Sequence, residues 1–201
     1  MKKIAILQSN YIPWKGYFDL INKVDLFIFH DDLQYTKNDW RNRNKIKTTN
    51  GLIWLTIPVK IEKLNQKINE TKIADNKWYI KHKNSLQTNY GKATKFKECK
   101  DFIFNIYEQA SRLDYISEIN YTFLNEINKF LKISTKISFS TDYNIGDGKT
   151  ERLINICKQS NSNIYLSGPS AKNYIDEALF TKNNINLEWF DYIGYKEYEQ
   201  L

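Results

Sequence analysis

Two unbroken apolar runs stand close to the start of this chain, IAIL at residues 4–7 and LFIF at 26–29. A strand with one wet face alternates apolar and polar residues. A run with no alternation is buried on both faces, as in a parallel sheet. Parallel neighbours need a crossover of a dozen or more residues. The segment between the runs supplies one, a short amphipathic helix over about 15–23 with Tyr17, Phe18 and Ile21 on its apolar side. The first thirty residues therefore read as a βαβ unit with a right-handed crossover.

The remainder extends this pattern. In RNRNKIKTTNGLIWLTIPVK, Asn50-Gly51 between two extended stretches predicts a hairpin with a type I′ turn, and Pro58 marks an edge or a strand exit. Residues 61–75 read as loop, with a short strand at 71–74. Helices follow over about 76–90, 97–110 and 113–132. The last is the clearest, with Ile116, Ile119, Phe123, Ile127 and Phe130 at helical spacing. KISFST is a strand, and DGKTERLINICKQ a helix that Thr150 or Asp147 caps, with Glu151 favouring the dipole in its first turn. NIYLSG, PSAKNYIDEALFTKN and INLEWFDY then read as strand, helix and strand. At 201 residues and 41% hydrophobic content, this specifies one α/β domain spanning 1–201. The expected form is a Rossmann-like three-layer domain with a mostly parallel sheet. A β-hairpin at about 42–60 and helices at about 76–132 form its insertion.

Composition removes several functions. No apolar run approaches a membrane span, and the four-residue run after Met-Lys-Lys is too short for a signal peptide. Cys99 and Cys157 lie far apart without metal-ligand spacing, which suits a reducing cytoplasm. With His30 and His82 as the only histidines, a Cys/His zinc site is disfavoured. The net charge of +7 permits a polyanionic partner, but the lysines are spread along the chain and mixed with acids, so nucleic acid is a disfavoured partner. The sequence specifies neither a cofactor nor an oligomeric state.

Three polar clusters share one structural address, the ends of strands. Gln8, Ser9 and Asn10 follow the first strand, Asp31 and Asp32 end the second, and Ser167, Gly168, Ser170 and Lys172 follow the strand near 164–167. Open α/β sheets bind ligands outside the carboxyl ends of their strands, so parallel neighbours would bring these clusters together. Gly168 allows a tight turn, and a helix starting at Pro169 or Ser170 would offer free N–H groups to phosphate or carboxylate beside Lys172. A plain strand-to-helix turn with a capping serine explains the same residues. The dense segment DDLQYTKNDWRNRN adds Arg41 and Arg43 as forked donors on one side, with Asn42 and Asn44 as hydroxyl or amide readers on the other. It reads equally as a solvated lead into the hairpin. Asp32 or Asp31 can act as base, and His30 as general base or as a structural histidine at a strand end. Tyr11 shapes the first turn or meets substrate. Trp40, Trp54 and Trp78 can stack on a ring or fill a core.

The stretches ILQSNYIPWKGYF, DDLQYTKNDWRNRNKIKTTNGLIWLTIPVK, YLSGPSAKNYI and the terminal YKEYEQL together resemble the WbqC-like protein family along nearly the whole chain. Members are typically encoded among bacterial genes for O-antigen and other surface polysaccharides. The resemblance implies a cytoplasmic role in making or decorating a sugar precursor. The expected activity is acyl or aminoacyl transfer to the amino group of a nucleotide-linked deoxy-amino sugar, or non-catalytic scaffolding of such a pathway. Arg41, Arg43 and Lys172 would then bind phosphate or carboxylate, Gln8 and Asn10 would orient substrate, and Asp32 or Asp31 would take the amine proton. Relatives usually carry His and Pro where this chain has Leu7 and Ser9. They also carry a short tail past the Tyr-x-Gln element, so a truncation at Leu201 would remove part of a site.

Overall fold

A computed structural model describes residues 1–199; Gln200 and Leu201 of the YKEYEQL match lie outside the described residues. The chain opens with β1 (Lys3–Leu7), α1 (Lys15–Asn22) and β2 (Leu26–Phe29). It continues through β3 (Arg43–Thr48), β4 (Gly51–Thr56), α2 (Trp78–Tyr90), α3 (Phe96–Ala110) and α4 (Ile116–Phe130). It closes with β5 (Lys136–Phe139), α5 (Lys149–Gln159), β6 (Ile164–Ser167), α6 (Glu177–Lys182) and β7 (Asn186–Trp189). These elements form two compact units.

The first unit comprises residues 1–8, 14–32 and 132–195. Its five strands are parallel throughout, in the order β5-β2-β1-β6-β7. Burial on both faces explains the unbroken apolar runs. Ile4, Ile6, Leu26 and Ile28 pack in one cluster with Leu153, Ile156 and Cys157 of α5 and Phe180 of α6. The alternate residues Ala5, Phe27 and Phe29 are equally buried, and Phe27 meets Tyr17 of α1 edge-on at 5.5 Å. Each such large side chain contributes about 1.5–3 kcal/mol on burial. With helices on both faces, this is a Rossmann-like three-layer architecture. The strand order reverses between β1 and β6, which makes that pair the switch point of the sheet.

The second unit holds residues 9–13, 33–131 and the described residues from 196 onward. Its antiparallel hairpin β3–β4 and helices α2–α4 surround a core that includes Tyr11, Ile57, Trp78, Tyr107, Ile119 and Phe123. The expected strand at 71–74 reduces to isolated bridges, Val59 with Ile73 and Lys72 with Tyr115.

Three local expectations are corrected. The hairpin turns at Thr49-Asn50, between the paired Thr48 and Gly51, and only Gly51 takes positive φ (109°), so the turn is not type I′. The Thr48 hydroxyl decides this by accepting the Asn50 N–H at 3.1 Å. Neither Thr150 nor Asp147 caps α5. Gly148 occupies the N-cap, and the Thr150 hydroxyl accepts the Asp176 N–H at 3.2 Å. The expected helix after Pro169 divides into a 3-10 turn over Pro169–Asn173 and α6, which Asp176 caps by accepting Leu179 N–H at 3.1 Å.

Candidate functional site

In the first unit, the parallel order places Gln8, His30 to Asp32 and Ser167-Gly168 at the carboxyl ends of three adjacent strands, β1, β2 and β6. The Tyr17 hydroxyl donates to the Gln8 carbonyl at 2.9 Å, and His30 N–H donates to the Leu7 carbonyl at 2.9 Å. Asp31 and His30 are both buried. Asp32 accepts hydrogen bonds on both oxygens, from the Ser140 hydroxyl and from Arg152 Nη2 at 3.1 Å. His30 Nε2 lies 3.6 Å from Asp32 Oδ1, beyond hydrogen-bond reach, and this buried nitrogen has no hydrogen-bond partner among the described residues.

Burial lowers the His30 pKa to about 4; Asp32 opposes that shift and Arg152 adds to it. The imidazole is therefore neutral at pH 7, and its approach to Asp32 is a polar contact rather than an ion pair. A proton arriving on this imidazole is favoured by Asp32 and opposed more strongly by burial and Arg152, so His30 is a weak base. Sequence reasoning missed Ser140 and Arg152. Ser140 had one available signal, since it follows a strand as Asp31 and Asp32 do.

The Ser167 turn is less open to anions than its sequence suggests. Pro169 has no N–H, and the Ala171 N–H donates to the Gly168 carbonyl at 3.1 Å. Ser167 is buried, and its carbonyl accepts the Phe190 N–H at 2.8 Å. The exposed Lys172 lies over the Trp189 ring, 5.3 Å from its centroid. Trp14 packs against Tyr192 and Tyr195 at 5.1 and 5.3 Å.

The second unit gathers the other candidates. Asn10 accepts from Arg41 Nη1, and Arg41 also faces Asp39 at 3.5 Å. Arg43 donates to the Asn38 carbonyl and stacks 4.1 Å from the centroid of the Trp54 ring, which Trp40 meets at 5.4 Å. The Asn42 amide donates to the Ile57 carbonyl at 2.8 Å, and Asn44 donates to the Ile12 carbonyl at 2.6 Å. These two amides tie main chain together, which the period-two pattern alone does not reveal. Tyr11 is fully enclosed, with its hydroxyl between His82 Nδ1 at 2.8 Å and Tyr107 Oη at 2.5 Å. Trp78 is core, whereas Trp40 and Trp54 are exposed.

No group of three or more potential metal ligands occurs among the described residues, and no described helix is long and apolar enough to cross a membrane.

Fold and polar layout together define a Rossmann-like α/β protein with polar side chains collected at the carboxyl ends of its strands. The chain belongs to the WbqC-like protein family, whose sequence pattern matches residues 8–201. It is similar to the uncharacterized protein Rv1507c of Mycobacterium tuberculosis (strain ATCC 25618 / H37Rv). The two are 50% identical over 202 residues, which cover 100% of this chain and 87% of that relative. No solved structure matches the chain significantly.

Proposed function

We propose that this protein acts in the synthesis of a surface polysaccharide of the O-antigen type. Its reaction would be acyl or aminoacyl transfer to the amino group of a nucleotide-linked deoxy-amino sugar. The observation that carries this reading is the meeting of Gln8, the His30–Asp32 pair and Ser167-Gly168 on adjacent strand ends beside the switch point. Membership of the WbqC-like family motivates the substrate class through the surface-polysaccharide setting that the family resemblance implies.

In this reading Gln8 orients the sugar, and Lys172 with Ser170 receives phosphate or carboxylate. The sugar's amine nitrogen attacks the acyl carbon of an activated donor. The new C–N bond forms as the bond to the donor's leaving group breaks, and the amine proton passes to the His30–Asp32 pair. Ser140 and Arg152 hold the Asp32 carboxylate in place; Asp31 is the alternative acceptor.

A thermal-shift screen with nucleotides and nucleotide-linked amino sugars tests the binding step. Ligand binding raises the melting temperature by mass action, and Lys172→Ala reduces the rise. A broad panel that gives neither a shift nor an acylated product contradicts the proposal.

One observation favours a second reading, a non-catalytic binding or scaffold protein of a polysaccharide-assembly pathway. Both Asp32 oxygens are already engaged, as in a structural carboxylate. Leu7→His separates the two readings, because relatives are expected to carry histidine there. Activity gained supports a decayed enzyme, whereas silence with retained partner binding supports the scaffold.

A further inference from the structure

One face of the hairpin β3–β4 is cationic. Arg43, Lys45 and Lys47 alternate along β3 and so share a face. The register sets Lys45 opposite Trp54 and Lys47 opposite Leu52, which adds those two side chains to the same face. The Arg43 guanidinium and the Lys45 ammonium lie 4.1 and 4.8 Å from the centroid of the Trp54 ring, and Trp40 meets that ring at 5.4 Å. Residues 43–56 include no Asp or Glu. Among the described residues, none of these three cations forms an ion pair. By contrast, Lys3, Lys63, Lys83, Lys95 and Lys129 each meet a glutamate.

The opposite face begins as core and ends in solvent. Leu55 is buried in the core of the second unit, but Ile53, two residues nearer the turn, is 40% exposed. On the cationic face, Leu52 and Trp54 are 65% and 40% exposed. Single exposed apolar residues are ordinary. Here three successive residues leave both faces of one strand apolar and open, beside cations that lack acidic partners.

The cations call for an anionic partner, and the apolar residues decide which one. Single-stranded nucleic acid stacks its bases on open aromatic faces, whereas Arg43 and Lys45 already lie over Trp54. An oligonucleotide or an acidic protein surface that follows the cationic face also leaves Ile53, on the other face, in water. A lipid surface surrounds whatever enters it, so it covers Leu52 and Ile53 together. Its phosphates attract lysine and arginine, and its interfacial layer favours indole rings. We propose that the tip of the hairpin docks peripherally on a bilayer surface rich in anionic phospholipid. Arg43, Lys45 and Lys47 meet the phosphates, and Leu52, Ile53 and Trp54 settle at the boundary of headgroups and acyl chains.

Co-sedimentation of the full chain with vesicles tests the docking, using equal parts phosphatidylglycerol and phosphatidylcholine against phosphatidylcholine alone. The protein should bind the anionic vesicles only, and less as salt rises. Each basic residue at such a surface contributes about fivefold, so the double variant Lys45→Gln, Lys47→Gln should bind about twentyfold more weakly. The double variant Leu52→Ser, Ile53→Ser keeps the charge and should bind about tenfold more weakly or worse. Acyl chains labelled with bromine should quench the wild-type tryptophan fluorescence, and Trp54→Phe should remove part of that quenching. Far-UV circular dichroism checks that the serine variant is folded; if it is not, the quenching of the wild type decides. A wild-type protein that ignores anionic vesicles overturns the proposal. So does binding that the folded serine variant retains in full, which would make the contact one of charge alone. Tighter binding to a single-stranded oligonucleotide or to polyglutamate at the same salt overturns it as well.

Discussion

A hydroxyl has one proton to donate, and that fixes the direction of the buried chain Tyr107–Tyr11–His82 in the second unit. The Thr56 carbonyl can only accept, so His82 Nε2 carries hydrogen. Burial lowers the His82 pKa to about 4, against the opposing Thr56 bond and with a smaller lowering by Lys81. Nδ1 thus keeps its lone pair at neutral pH and accepts from Tyr11, whose own oxygen must then accept from Tyr107. Burial and the neighbouring Tyr107 raise the Tyr11 pKa well above its ordinary value, which keeps it a donor. Tyr11→Phe strands both His82 Nδ1 and the Tyr107 hydroxyl and should cost roughly 1–3 kcal/mol. Tyr107→Phe leaves Tyr11 still donating to His82 and should cost about 0.5–1.5 kcal/mol. Urea unfolding checks the order; a larger loss for Tyr107→Phe would reverse the assigned direction.

At the scale of elements, the start of α1 is controlled by a ring rather than a cap. Trp14 occupies the N-cap without a side-chain hydrogen bond. A β carbon on Gly16 would fall 2.4 Å from the Trp14 indole, so the glycine is what lets the ring fold back while it packs on Tyr192 and Tyr195. Gly16→Ala should displace the ring and cost about 1–2 kcal/mol, and the loss should vanish in a Trp14→Ala background. Denaturation of the two single variants and the double variant measures the coupling; additive losses would mean that the ring does not set the cost.

The sequence made β1, α1 and β2 legible because burial on both faces erases alternation in the strands but leaves the helix amphipathic. The end of the PSAKNYIDEALFTKN helix was not legible, since its break depends on Asp176 taking the Leu179 N–H. Gln8, Asp32 and Ser167 were readable as strand ends. Arg152 was not, because it reaches Asp32 across 120 positions of sequence, and Ser140 joins it only because β5 happens to pair with β2.

For the whole molecule, His30 and His82 are two neutral imidazoles buried in separate cores. Each folded pKa of about 4 lies below the ordinary value of 6.5, so the unfolded chain takes up protons first as pH falls. Their stabilising contribution is complete above pH 6.5 and is lost progressively down to about pH 4. At roughly 1.4 kcal/mol per pH unit for each group, the two together remove about 4 kcal/mol by pH 5. Urea midpoints should hold from pH 7.5 to about pH 6.5 and then fall towards pH 5, and His82→Phe should remove about half of that fall. A flat profile would mean that the imidazoles titrate normally.

The proposed acyl transfer is tested most directly by mass spectrometry of purified protein incubated with nucleotide-linked amino sugars, ATP and activated acyl or aminoacyl donors. The predicted result is a nucleotide sugar heavier by one acyl group, formed by the wild type and lost in folded Asp32→Asn. Unmodified sugar across the whole panel, or a product that forms equally well with Asp32→Asn, would contradict it.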